Sequence, residues 1–93
     1  MNQKQWPVTI DEAVGVVIAT LSDTDKATIS AMAESELIGL HMSLGAWIRN
    51  NFGLWSGNLP LLESTGEPSA DDASMVIIVA VWRRLREMVP KVH

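Results

Sequence analysis

Five polar side chains fall within one short stretch: His41, Arg49, Asn50, Asn51 and Asn58. A guanidinium beside carboxamides makes a fork of donors that matches planar oxyanions such as carboxylate or phosphate. His41 could serve as a base near neutral pH, but only with a carboxylate or a nucleophile beside it, and Glu34 and Glu63 are the acids that could supply one. The five residues are therefore the candidate ligand-binding set. The same residue types also suit a structural task, which is to satisfy carbonyls freed at a helix end and in the turn that follows it. No ordering of them spells a catalytic motif, so no catalytic residue is assigned.

The stretch that positions them, Leu37 to Asn58, reads as a helix with a defined end. Leu37, Leu40, Leu44, Trp47 and Ile48 recur at spacings of three and four, which places them on one stripe. Gly53 falls where a left-handed residue closes a helix, with Leu54 as the apolar residue folding back on the last turn. Arg49 lies in that turn, where a cation complements the dipole. Gly57 and Asn58 are the expected positive-φ positions of the next turn, and Trp55 is expected to pack that turn onto the core.

Around this central helix, about Glu36 to Phe52 and capped by Ser35, the pattern predicts three more. Thr9 and Glu12 form a capping box opening a helix from about Ile10 to Leu21, with Val14, Val17, Ile18 and Leu21 as its stripe. Ser22 and Asp25 open a second, about Asp23 to Ala33, whose apolar face is thin. Leu59 to Leu62 suggests one helical turn with Pro60 early in it. Glu63 to Ala70 reads as a mobile surface loop. Ser69 and Asp72 cap a last helix, about Ala70 to Met88. The fold class is thus all-α: a compact bundle of about four helices, with one longer loop before the last, forming a single domain over residues 1–93.

The last helix carries two apolar stripes. Met75, Ile78, Val79, Trp82 and Leu85 make one; Val76, Ile77 and Val81 make the other. Its helical partners look too modest to cover both. Val76, Ile77 and Val81, with Trp6 near the chain start, are therefore the candidate interface, and a symmetric homodimer is expected. Trp6 could equally be a lid on the core. Trp47 and Trp82 are expected to be buried.

Composition narrows the function classes. The chain has no cysteine and a single internal histidine, with no His-x-x-x-His or calcium-loop spacing, so no metal site and no cofactor are expected. Residues 1–72 hold ten acidic and three basic side chains; residues 73–93 hold four basic and one acidic. Asp71 and Asp72 at the start of the last helix and arginines at its end are what the helix dipole favours. With a pI of about 4.9 this is not the profile of a nucleic-acid binder. The longest apolar run, Met75 to Trp82, is too short to cross a bilayer, and the N-terminus lacks the apolar core of a secretory signal. A soluble cytoplasmic protein is expected.

Trp6-Pro7, Glu12-Ala13-Val14, Asp25-Lys26, the block from His41 to Asn58 and Asp71-Asp72-Ala73-Ser74-Met75 occur in this order. In this the chain resembles a family of small, mostly bacterial domains known only as a domain of unknown function. The resemblance covers nearly the whole chain. Its most specific part is Trp-Ile-Arg-Asn-Asn-Phe-Gly-Leu-Trp at 47–55. It implies a stand-alone helical domain without an assigned activity. Members often carry His-Pro before the paired aspartates, where this chain has Ser69-Ala70, so a role needing a histidine there does not carry over. The reading that follows is a small protein-interaction module or inhibitor-like partner, of the adaptor, immunity or antitoxin type. Its partner would be a protein or a second copy, with no nucleic acid and no membrane. The alternative is a ligand-binding or catalytic domain built around His41 and Arg49.

Overall fold

Thr9 stands in extended backbone and its hydroxyl accepts the Glu12 N–H at 3.1 Å, which starts the first helix at the expected place. The Glu12 carboxylate closes the other half of the cap one residue early, accepting from the Val8 N–H at 2.9 Å. The computed structural model describes residues 5–88, and among these residues there is no strand. The elements are α1 (Ile10–Thr20), α2 (Asp23–Ser30), a 3-10 helix (Glu34–Leu40), α3 (Leu44–Asn51), α4 (Leu59–Thr65) and α5 (Ala70–Met88). The all-α class stands. The number of helices does not: among the described residues there are six, where the pattern suggests about four.

Two local effects account for the difference. The expected central helix breaks between Leu40 and Leu44, where the chain tightens to i→i−3 bonds from His41 N–H to Ile38 and from Ser43 N–H to Leu40. Gly39 and Gly45 flank the break, and glycine costs about 1 kcal/mol against alanine inside a helix. Ahead of it, α2 stops at Ser30 rather than Ala33. The Ala33 N–H is taken by the Glu36 carboxylate at 2.7 Å, so Ser35 caps nothing. The carbonyls freed at the end of α2 are satisfied from α5: Trp82 Nε1 donates to Met32 at 2.9 Å and Arg86 Nη1 to Ser30 at 3.1 Å. At the other end, α4 runs on to Thr65 and closes on Gly66 in the left-handed region, so half of the expected surface loop is helical.

α5 begins at Ala70 as expected, is helical through Met88, the last described residue, and is the centre of the fold, touching all five other elements. Its buried face is Ala70, Ala73, Ser74, Ile77, Ile78, Val81 and Leu85. With Val14, Val17, Leu37, Ile48 and Leu61 these residues form the core. Ile77 and Val81 were expected on an exposed stripe, yet both are fully buried. The outward residues are Met75, Val76, Val79 and Ala80, each half-buried. The tryptophans shift the other way. Trp47 and Trp82 are half-buried rather than buried, and Trp55 is 61% exposed rather than packed down.

Candidate functional site

Arg49 sits in the last turn of α3, but its task is larger than complementing a dipole. The residue is only 6% exposed. Nη1 donates to the Ser74 hydroxyl at 2.9 Å and Nη2 to the His41 carbonyl at 3.2 Å. Nε lies 3.5 Å from the Asp71 carboxylate, near enough for ionic attraction but outside hydrogen-bond geometry, so this nitrogen is buried without a hydrogen-bond partner among the described residues. The Trp55 ring lies 5.9 Å from the guanidinium carbon. One side chain thus ties α3 to the 41–43 turn and to the first turns of α5.

A continuous helix would have held residues 41 and 49 about 12 Å apart along its axis. The break at 41–43 folds them back together, so they meet through the His41 main chain. Gly45 makes room for this, because a Cβ there would lie 2.9 Å from Arg49 Nη1. The His41 ring is half-buried, with Nδ1 lacking a hydrogen-bond partner among the described residues. Neither Glu34 nor Glu63 hydrogen-bonds it among them.

The remaining candidates do not converge on Arg49. Asn50 is exposed. Asn51 Nδ2 donates back to the Trp47 carbonyl of its own helix at 2.9 Å. Asn58 is buried and forms a second node, its Nδ2 donating to Pro7 at 2.9 Å and to Phe52 at 2.7 Å, while Oδ1 accepts the Leu61 N–H and caps α4. Asn58 has φ −76° and so is not the left-handed residue expected; Gly57 is, at +100°. Gly53 is also left-handed, and Leu54 N–H returns to Arg49 O across the helix end, as the sequence indicated. Trp6 lies over Gly53 as a half-buried lid.

The sequence reading missed Ser74 and Asp71 as partners of Arg49. The available signal was Ser74 itself, a hydroxyl one position along from Ala73 and three before Ile77 on the buried face of α5. A buried hydroxyl there needs a partner. It also accepts from Arg49 while donating to the Asp71 carbonyl at 2.8 Å.

The concave surfaces lie elsewhere. One groove, of about 420 Å³, runs between α1, α2, the 3-10 helix and α3 and is walled by Val17, Leu21, Ile29, Leu40, Leu44 and Trp47. Among the described residues Asp25 is the one charged side chain in its wall, with Thr20, Thr28 and Ser43 as neutral polar groups. A second, of about 490 Å³, follows the outer face of α5 beside Ile10 and Glu67. Among the described residues no three His, Cys, Asp or Glu side chains are placed to hold a metal ion, and no helix is long and apolar enough to cross a membrane.

Removing the Arg49 guanidinium tests its structural task. Arg49→Ala leaves the Ser74 hydroxyl and the His41 carbonyl without their guanidinium donor and empties the space it fills beside Gly45. Hydrogen bonds to charged groups contribute about 1.5–3 kcal/mol each, and the exposed Asp71 carboxylate adds little. The variant is expected to lose about 3 kcal/mol in a denaturant melt. An unchanged midpoint would contradict the structural role.

A family model described as "Domain of unknown function (DUF6794)" matches residues 6–85. No curated protein and no solved structure matches the chain.

Proposed function

The chain belongs to the DUF6794 family of domains of unknown function, and we propose that it is a small protein-interaction module, of adaptor or inhibitor-like type, that receives a basic amphipathic helix. The observation that carries this is the apolar groove of Val17, Leu21, Ile29, Leu40, Leu44 and Trp47. A concave apolar wall between helices is the setting in which an amphipathic helix docks its i, i+3, i+4 and i+7 side chains. Charge supplies the sign. The elements around the groove carry Asp11, Glu12, Asp23, Asp25, Glu34 and Glu36, against Lys26 and the buried Arg49, with Asp11 already paired to Arg84 of α5. Lys26 is itself 3.9 Å from Asp23.

The reading around His41 and Arg49 has less support, since both terminal nitrogens of the guanidinium already donate within the chain. Two inserted leucine-sized side chains contribute about 3–6 kcal/mol before ordering costs, so affinity for a simple helix is expected to be modest.

A peptide of alternating leucine and lysine at helical spacing, titrated while Trp fluorescence is followed, is the test. Saturable binding is expected for the wild type. Leu44→Glu, on the half-buried wall, is expected to weaken it by about tenfold or more while the melting midpoint shifts little. A leucine/glutamate peptide of equal pattern should not bind. Equal binding of both peptides, or a Leu44→Glu variant that binds like wild type, would overturn the proposal.

A further inference from the structure

The outer face of α5 presents Asp72, Met75, Val76, Val79, Ala80 and Arg83 along one groove. At 100° per residue these positions form a stripe opposite Ile77, Ile78 and Val81, which the core covers. An acid stands at one end of the stripe and a base at the other. Of the four arginines described, Arg49 is held in its clamp, Arg84 pairs with Asp11 at 2.6 Å, and Arg86 bonds Ser30 and stacks on Trp82 at 5.0 Å. Arg83 has no ionic, hydrogen-bonding or aromatic partner among the described residues. The Asp72 carboxylate has none there either. They cannot meet each other, being about 16 Å apart along one helix axis.

We infer that a second copy of this chain covers this face, with the two α5 helices antiparallel about a two-fold axis between residues 77 and 78. The stripe is self-complementary in that arrangement. Asp72 of one copy lies opposite Arg83 of the other, and Val76 opposite Val79. Met75 lies opposite Ala80, a long side chain against a small one, as close helix packing at 8–10 Å requires. Because the axis repeats every contact, two ion pairs flank a continuous apolar seam. An isologous contact of this kind closes on itself as a dimer and leaves no free end for further growth.

The net charge of −4 on each copy opposes association, but that repulsion is screened beyond about 8 Å at physiological salt. A single-helix seam lies at the small end of specific interfaces, so a dissociation constant on the order of micromolar is expected. The seam shares no wall residue with the groove beside Trp47, so the two surfaces can be tested independently.

Charge reversal with sedimentation equilibrium decides the matter. The monomer is 10.2 kDa. Wild type is expected to approach twice that mass as concentration rises from about 1 to 500 µM. Asp72→Arg alone and Arg83→Glu alone each place like charges together twice, and each should weaken the dimer by about tenfold or more. The double variant Asp72→Arg with Arg83→Glu should restore it. Both positions are exposed, so folding is not at stake. A wild type that stays monomeric throughout, or a dimer indifferent to the single reversals or not restored in the double variant, would overturn the inference.

Discussion

Val81→Asp is expected to unfold the domain outright. Val81 is fully buried on the core face of α5. The substitution forfeits about 1.5–3 kcal/mol of valine burial and places a carboxylate, or a proton forced onto it, where nothing can pair with it. An unpaired buried charge costs several kcal/mol more. Together these approach or exceed the whole stability of a domain of this size, about 5–15 kcal/mol at most. Loss of the helical circular-dichroism signal at 25 °C checks this. Val79→Asp is the control, two residues away on the outer face and half-buried: it should keep the helical signal while removing self-association. A folded, monomeric Val81→Asp protein would mean that the two faces have been exchanged.

Gly53 is the second position of large effect. Its φ of +70° costs a residue with a Cβ about 1 kcal/mol. Here the Cβ would also overlap the Trp6 indole ring, so Trp6 must leave its seat. Displacing a half-buried tryptophan forfeits about 1–2 kcal/mol of burial and disturbs the neighbouring Pro7 carbonyl, which accepts from Asn58. Gly53→Ala is therefore expected to cost about 2–3 kcal/mol, and Gly53→Val more because a branched side chain resists the left-handed region. In a Trp6→Ala background the same Gly53→Ala change should cost only about 1 kcal/mol, the backbone share alone. Equal costs in the two backgrounds would show that Trp6 does not cover this glycine.

The helices bounded by strong local signals were legible from the residues. Thr9 and Ser69 each accept the N–H three residues on, and α1 and α5 begin where those hydroxyls place them. Gly53 could be assigned because only a positive φ explains a glycine between Phe52 and Leu54 at a helix end. The break at 41–43 was not legible, because Leu37, Leu40 and Leu44 keep helical spacing across it; the turn is recognised only once Arg49 is seen folding back through the space left by Gly45. The two faces of α5 were confused for a related reason. A helix apolar on nearly every side gives no contrast from which to find its buried stripe, and Ile77 differs from Val76 only in which way it points. Trp55 misled because its size suggests burial, while its ring lies 5.9 Å from the Arg49 guanidinium carbon and is largely in solvent.

The polar candidates illustrate the same limit. His41, Arg49 and Asn58 are the residues best able to do chemistry, and their types allow both oxyanion binding and helix-end satisfaction, with their place at a helix end favouring the second. Distance separates the two readings. Arg49 and Asn58 spend their donors on His41 O, Ser74 Oγ, Pro7 O and Phe52 O, which are groups of the chain itself. In the proposed function recognition falls to an apolar groove, whose walls read in sequence as ordinary core stripes.

Where a helical ligand lands is the most direct test of this division. Amide shift mapping by two-dimensional NMR, with the leucine/lysine peptide added to the labelled protein, reports it residue by residue. The account predicts that the large shifts gather at Val17, Leu21, Ile29, Leu40, Leu44 and the Trp47 indole N–H. Shifts centred instead on Asn50, Trp55 and the His41 ring would contradict it and return the polar cluster to the role of binding site.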